Sequence, residues 1–224
     1  MRPLLLILLT VLTLHAQDAT PSAKPVGFAR WEPEISKMEA KLKASPPAPG
    51  GIVFAGSSSI RMWNLKESFP GLPVVNCGFG GSVIPDSTHF APRLVIPLKP
   101  GVVVFYAGDN DSAKGNSAEV IAANFKEFAD TIHAALPDCR IIYIPIKPSV
   151  ARQKLMPLQK EANALIEKFC LTQPGKMEYL DLATPLLSPD GKLRPELYRK
   201  DGLHLNEDGY TIWNRLLLPH LPKS

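Results

Sequence analysis

Short apolar runs alternate along this chain with longer segments in which apolar residues recur at helical spacing. A short apolar run bounded by glycine, proline or polar residues is typical of a buried strand. Five such runs predict strands at 51–55, 73–77, 102–107, 140–146 and 177–182. Helical periodicity predicts helices at 31–43, 118–136, 158–171 and 208–218. Because strands that alternate with helices form parallel sheets covered on both faces, the pattern predicts an α/β domain.

The longest predicted helix, at 118–136, is amphipathic, so one of its faces should pack on the sheet. The apolar residues on or near that face are Val120, Phe125, Phe128, Ile132 and Leu136. We expect this face to be buried.

The amino terminus has a different pattern. Arg2 is followed by the run Leu4–Leu14, which is apolar except for two threonines, and Ala16 is a small residue suited to precede a cleavage site. The run is too short to span a bilayer, which takes roughly 20 residues. We therefore predict a signal peptide at 1–16, a flexible segment at 17–30 and a single domain at 31–224. The protein would be exported, to the periplasm or the medium, with no stable membrane span after cleavage; the competing interpretation is an uncleaved anchor.

Composition and charge narrow the class of protein. Of the 224 residues, 45% are hydrophobic and 21% are charged, values that exclude a disordered or collagen-like chain. The net charge is +4, but no Lys/Arg run or basic stripe is present, which argues against a nucleic-acid partner. Cys77, Cys139 and Cys170 are too few and too scattered for a disulfide framework or a zinc site. We expect no bound metal.

Polar, glycine-containing turns follow three successive predicted strands. They are Gly56-Ser57-Ser58-Ser59, Gly78-Phe79-Gly80-Gly81-Ser82 and Gly108-Asp109-Asn110-Asp111, and a fourth polar cluster, Asp201-Gly202-Leu203-His204, precedes the last helix. Ligands of open parallel sheets bind at the carboxyl ends of the strands, near the point where the strand order reverses. These clusters are therefore expected to face one crevice.

The residues in that crevice have the chemistry of nucleophilic catalysis. A serine needs a base to remove its proton, and a histidine base needs a carboxylate to fix its tautomer; Ser58, His204 and Asp201 supply these parts. The backbone N–H groups of Ser58 and Gly81 and the side-chain amide of Asn110 are candidate oxyanion donors.

Each of these signals also has a structural alternative. Serine and asparagine are common N-cap residues, so the serine run and Asn110 would also fit as helix caps. The residues from Asp201 to His204 would also fit an ordinary surface turn. The glycines at 78–81 lack the spacing of a dinucleotide-binding loop, and no Gly-Lys-Ser/Thr follows them. His89 and His133 have no acidic partner at comparable spacing and are interpreted as ordinary surface or packing residues.

Together, the four clusters resemble the four sequence blocks of the GDSL or SGNH hydrolases, with Asn76–Gly81 as the second block. They are most similar to the bacterial relatives of platelet-activating-factor acetylhydrolase catalytic subunits. The resemblance implies Ser58 as nucleophile, with Ser58, Gly81 and Asn110 forming the oxyanion hole. It implies Asp201 as the residue that orients the base His204. It also implies a three-layer αβα sandwich with a five-stranded parallel sheet of flavodoxin-like order.

One position departs from the family pattern. Ser57 stands where the family has the aspartate of Gly-Asp-Ser, although that carboxylate is not a triad member. The α/β-hydrolase alternative is disfavoured, because Ser58 is followed by Ser59-Ile60 and so lacks the Gly-x-Ser-x-Gly elbow.

The expected function is an exported serine esterase. It would hydrolyse carboxylic esters with short acyl groups such as acetyl, on a small molecule or a carbohydrate, through an acyl-enzyme and without a metal or organic cofactor. The alternative is a non-catalytic carbohydrate-binding or interaction module that retains the fold.

Overall fold

A computed structural model describes residues 27–222 of the chain, so the predicted signal peptide and residues 17–26 lie outside the described residues. Its centre is a sheet of five parallel strands, ordered β2-β1-β3-β4-β5. The strands are β1 (Ile52–Gly56), β2 (Val74–Gly78), β3 (Val102–Tyr106), β4 (Arg140–Tyr143) and β5 (Met177–Tyr179). This is the flavodoxin-like order, which confirms the predicted fold class.

Eight α-helices surround the sheet in the described part of the chain. They are α1 (Glu32–Ala44), α2 (Ser58–Arg61), α3 (Leu65–Ser68), α4 (Ile84–Leu94), α5 (Asp109–Ala113), α6 (Ala118–Ala135), α7 (Met156–Leu171) and α8 (Glu207–Leu217). None of the helices among residues 27–222 is both long and apolar enough to cross a bilayer.

Two hydrophobic cores lie on opposite faces of the sheet. Along β3, Val103 and Phe105 belong to the core that includes α1, α4, α6 and α7, whereas Val104 and Tyr106 belong to the core that includes α8. All five residues of β3 are buried, because helices cover both faces of a central parallel strand. The two cores and the sheet give the three layers of the sandwich.

The buried face of α6 differs by one residue from the prediction. Val120 is 45% exposed, whereas Ile121 is fully buried together with Phe125, Phe128 and Ile132. The expectation that Val120 is buried was therefore wrong, because one residue turns the side chain by about 100° around the helix axis. Leu136 lies at the end of the helix and is only partly buried.

Prolines explain two further differences. Helical periodicity gave no prediction for α4, which carries Pro85 in its first turn and Pro92 inside it. Proline is tolerated in a first turn, where its missing N–H would have no helical acceptor. The predicted strand at 140–146 ends at Tyr143, since Pro145 cannot donate to a neighbouring strand.

The amino-terminal boundary also needs correction. Residues 27–30, placed in the flexible segment by the sequence, lie in the 3-10 helix Gly27–Trp31. The Phe28 ring stacks on His89 with ring centroids 3.8 Å apart, and Arg30 Nη2 lies 3.2 Å from Asp86 Oδ2. These contacts attach the segment to α4, so the packed domain already includes Gly27.

Candidate active site

Ser58 is placed by a close approach between β1 and β3. Gly56 has φ +130°, and a Cβ at this position would lie 1.9 Å from the carbonyl oxygen of Tyr106, so only glycine fits. The next residue, Ser57, donates its N–H to that same oxygen at 2.9 Å. The chain then turns into α2, whose first residue is Ser58.

Two side chains hold α2 from either side. Asn76, on β2, donates through Nδ2 to the carbonyl oxygen of Ile60 at 2.7 Å, and the Tyr210 hydroxyl donates to the carbonyl oxygen of Ser59 at 2.7 Å. Because β2 and α8 lie far apart in sequence, these contacts fix α2 only in the folded chain.

The three residues predicted for nucleophilic chemistry come together at the carboxyl edge of the sheet. His204 Nε2 lies 2.8 Å from Ser58 Oγ, and His204 Nδ1 lies 2.7 Å from Asp201 Oδ2. A carboxylate only accepts hydrogen bonds, so this geometry places the ring proton on Nδ1 and leaves Nε2 as the acceptor for the Ser58 hydroxyl. This is the arrangement in which a histidine can act as a base toward a serine. We call these three residues the triad.

Asp201 also organises the turn that carries His204. Its Oδ1 accepts the backbone N–H groups of Leu203 at 2.9 Å and of His204 at 3.0 Å. Partial burial raises the pKa of the Asp201 carboxyl, but hydrogen bonds from the His204 side chain and from the two N–H groups outweigh it, so the pKa is lowered to about 2. Asp201 is therefore ionised at neutral pH while it faces His204.

The candidate oxyanion donors lie on three different strand ends. Neither the Ser58 N–H nor the Gly81 N–H donates to another group within residues 27–222. Asn110 Nδ2 donates to the carbonyl oxygen of Ser82 at 2.9 Å, which uses one of its two amide hydrogens and leaves the other available. The serine run does cap α2, because Ser57 is its N-cap, although without a side-chain hydrogen bond. Ser58 itself is not the cap, and the N-cap of α5 is Gly108, so Asn110 is not a cap either.

Asp111 is a site residue whose role the sequence analysis missed. It is fully buried, and its carboxylate accepts the Ile84 N–H at 3.1 and 3.2 Å, which joins the turn after β3 to the start of α4. Burial raises the pKa of Asp111 to about 6. The carboxylate at the end of Gly-Asp-Asn-Asp was the only available signal.

A buried ion pair lies behind Asn110 and was also missed. Lys147 Nζ is 2.8 Å from Asp109 Oδ2, and both side chains are almost completely buried. The Tyr106 hydroxyl donates to the same Asp109 oxygen, and burial is the main cause that raises the pKa of Tyr106. A lysine between apolar and proline residues at 144–148 was the signal that could have pointed to this pair.

A cavity of about 250 Å³ lies between α7 and the segments that follow β4 and β5. Its lining includes Ile146, Met156, Gln159, Asn163, Asp181 and Leu187. No triad residue lines it.

A parallel α/β sheet that presents a serine, a histidine and an aspartate at its carboxyl edge defines a serine hydrolase. Comparison with known families matches residues 55–212 to the GDSL-like lipase/acylhydrolase family, a stretch that includes every candidate site residue. The chain belongs to this family. It is therefore a serine hydrolase that acts on ester bonds. Among curated proteins, none matches the chain by sequence.

Solved structures share the fold at low sequence identity. A Streptococcus pneumonia structure named for platelet activating factor has a TM-score of 0.77 and 20% identity, over 87% of this chain and 94% of that one. A GDSL-like lipase from Bacteroides thetaiotaomicron has a TM-score of 0.66 and 20% identity, over 86% and 96% of the two chains. An acetyl-xylooligosaccharide esterase from Geobacillus has a TM-score of 0.61 and 15% identity, over 79% and 96%. At these identities the likeness shows the fold.

Proposed function

We propose that the protein is an exported esterase that removes short acyl groups, in particular acetyl groups on carbohydrate, through an acyl-enzyme on Ser58. The observation that carries the proposal is the unbroken hydrogen-bond chain from Ser58 Oγ through His204 to Asp201. The family supplies the reaction class, and the chain of hydrogen bonds supplies a nucleophile with its base.

In the proposed reaction, His204 Nε2 takes the Ser58 proton as Oγ attacks the ester carbonyl carbon. The tetrahedral oxyanion accepts the N–H groups of Ser58 and Gly81 and the second amide hydrogen of Asn110. His204 then returns its proton to the leaving alcohol, and the carbonyl re-forms as an acyl-Ser58. Water, deprotonated by His204, releases the acid by the same route. Asp201 stabilises the imidazolium at both stages.

Two features of the crevice support a small acyl group. The Trp31 ring lies beside the proposed oxyanion glycine, and a Cβ at Gly81 would be 3.5 Å from its Cη2 atom, so an aromatic wall limits the space there. β1 runs into α2 after one residue and β3 runs into α5 after two, so neither connection contains an insertion that could form a lid over a long acyl chain. Such short connections also suit a substrate whose alcohol part is large.

The carbohydrate part of the proposal draws on structural neighbours. One is named an acetyl-xylooligosaccharide esterase, and another, from Talaromyces cellulolyticus, is named a carbohydrate esterase of family 3. A panel of acetylated oligosaccharides tests this part. Release of acetate supports it, whereas hydrolysis of simple aryl acetates alone would place the substrate outside carbohydrates.

The nucleophile is tested with a serine-directed fluorophosphonate and a chromogenic acetyl ester. Ser58→Ala should abolish labelling and turnover, while the matched control Ser59→Ala should retain both, because Ser59 is buried in α2 and lies outside the triad. If the wild-type protein folds but neither reacts with the fluorophosphonate nor hydrolyses the ester, the proposal is contradicted. That result would favour the non-catalytic binding module.

Export rests on Arg2 and the apolar run Leu4–Leu14. Mass spectrometry of the secreted or periplasmic protein should find a mature amino terminus near Gln17. Recovery of the full-length chain only in the cytosol would contradict export without affecting the esterase assignment.

A further inference from the structure

Residues 147–151, which we call the bridging segment, follow β4 and contact both sides of the crevice. The segment is anchored where it begins. The Ile146 N–H donates to Asn163 Oδ1 at 2.8 Å, and Asn163 Nδ2 donates back to the Ile146 carbonyl oxygen at 2.9 Å. This reciprocal pair attaches the start of the segment to α7.

The first residue of the bridging segment supports the Asn110 side of the crevice. Lys147 is fully buried, and its ammonium contacts Asp109 Oδ2 at 2.8 Å and the Tyr106 hydroxyl oxygen at 3.2 Å. Asp109 immediately precedes Asn110 in α5. A buried charge that loses its partner strongly destabilises the fold, so Asp109 must stay within reach of the Lys147 ammonium. The ion pair therefore restricts where the first turn of α5 can lie.

The rest of the bridging segment supports the turn that carries Asp201 and His204. The Tyr198 hydroxyl donates to the Pro148 carbonyl oxygen at 2.5 Å, and the Ala151 N–H donates to the Gly202 carbonyl oxygen at 3.0 Å. Gly202 lies between the two triad residues of this turn.

The packing between the turn and the segment is close. Gly202 has φ +63°, and a Cβ there would lie 3.2 Å from Val150 Cβ. Tyr198 also forms an isolated antiparallel bridge with Leu205, so its backbone closes the turn while its hydroxyl reaches the segment.

We infer that the bridging segment aligns the proposed oxyanion donor Asn110 with the base His204. Two positioning residues would do this: Lys147, within the segment, and Tyr198, which donates a hydrogen bond to it. The inference rests on the proposed esterase function. The two halves of the site come from distant parts of the chain, and the His204 turn belongs to no strand of the sheet. The bridging segment contacts both α5, which carries Asn110, and the turn that carries His204, so it fixes the position of one relative to the other. Neither positioning residue touches the reacting atoms.

Tyr198→Phe removes one hydroxyl and tests the His204 side. We expect kcat on an acetyl ester to fall about 10- to 100-fold with KM unchanged, because displacement of a catalytic group by about 1 Å costs on the order of 10² in rate. Tyr179→Phe is the matched control, since the Tyr179 hydroxyl makes no hydrogen bond within residues 27–222. A Tyr198→Phe protein with wild-type kcat, even if less heat-stable, would overturn the inference.

The Asn110 side is tested with a neutral replacement of the ion pair. The double variant Asp109→Asn/Lys147→Met keeps the approximate shape of the pair and leaves no unpaired buried charge, so it should fold. We expect kcat to fall about tenfold in the wild-type background and no further in an Asn110→Ala background, because the donor being positioned is then absent. Equal losses in both backgrounds would indicate a merely structural pair and overturn the inference.

A measurement without substrate separates this inference from the esterase proposal. The His204 Nδ1 proton bonded to Asp201 should give a low-field proton NMR signal. The signal should persist in wild type and Tyr179→Phe but be lost by exchange with water in Tyr198→Phe. Wild-type protein that hydrolyses no ester would contradict the proposed function, whereas an unchanged signal in Tyr198→Phe would contradict the alignment by the bridging segment.

Discussion

An Asp201→Asn substitution would change one donor–acceptor contact in the triad while leaving the turn intact. Asp201 Oδ1 accepts two backbone N–H groups, at 2.9 and 3.0 Å, so the carbonyl oxygen of the asparagine must stay on that side. The NH₂ group then replaces Oδ2, 2.7 Å from His204 Nδ1. Because NH₂ is a donor, it favours the tautomer with the proton on Nε2, which can no longer accept the Ser58 proton.

The size of the effect follows from this tautomer change and from the exposure of the site. The corresponding aspartate-to-asparagine change in a serine protease lowers kcat by about 10⁴. The Asp201 side chain is 47% exposed, so water competes for the same contacts and reduces the penalty. We expect kcat to fall by about 10² to 10⁴, which corresponds to roughly 3–5 kcal/mol in the activation barrier.

The assay is steady-state hydrolysis of a chromogenic acetyl ester at neutral pH, with thermal unfolding as a check on folding. Asp190→Asn is the matched control, because Asp190 is exposed and pairs with Lys192, outside the triad. The control should keep the wild-type kcat. A folded Asp201→Asn protein with unchanged kcat would refute the argument that Asp201 sets the His204 tautomer.

Three further predictions concern the oxyanion hole, a buried carboxyl and the core. Asn110→Ala should lower kcat by about 10²–10³ with little change in KM, and a pure KM effect in steady-state kinetics would instead assign Asn110 to substrate binding. The raised pKa of Asp111, about 6 against an ordinary 3.8, means that its contribution to stability is present below pH 4 and is lost as the pH rises to 6. In urea unfolding, Asp111→Asn should not show this loss of stability between about pH 4 and pH 6, because asparagine does not titrate. The same pH dependence in wild type and variant would contradict the raised pKa of Asp111. Phe125→Ala should lower the free energy of unfolding by about 3–5 kcal/mol, because Phe125 is fully buried; a much smaller value in denaturant unfolding would mean that the core closes around the cavity.

Local sequence patterns were sufficient to predict secondary structure wherever a residue's conformation depends mainly on its neighbours in sequence. Strand and helix positions follow from short-range periodicity, and the predicted helix at 118–136 agrees with α6 to within a residue. The same periodicity was too coarse to choose between Val120 and Ile121 for the buried face, since both are apolar and adjacent. It also gave no prediction for α4, because Pro85 and Pro92 interrupt the helical pattern in the sequence.

The chemistry of the candidate site was readable because Ser58, Asn110 and the Asp201–His204 turn each belong to short, specific patterns. Their residue types and their places at strand ends are properties of the sequence by itself. The 2.8 Å contact between Ser58 and His204 joins residues 146 positions apart, so it depends on the strand order and on the packing of α2 against β2 and α8. The Lys147–Asp109 pair is likewise a product of the tertiary structure alone, because a lysine becomes a buried partner only when β3 and β4 pack side by side and exclude water.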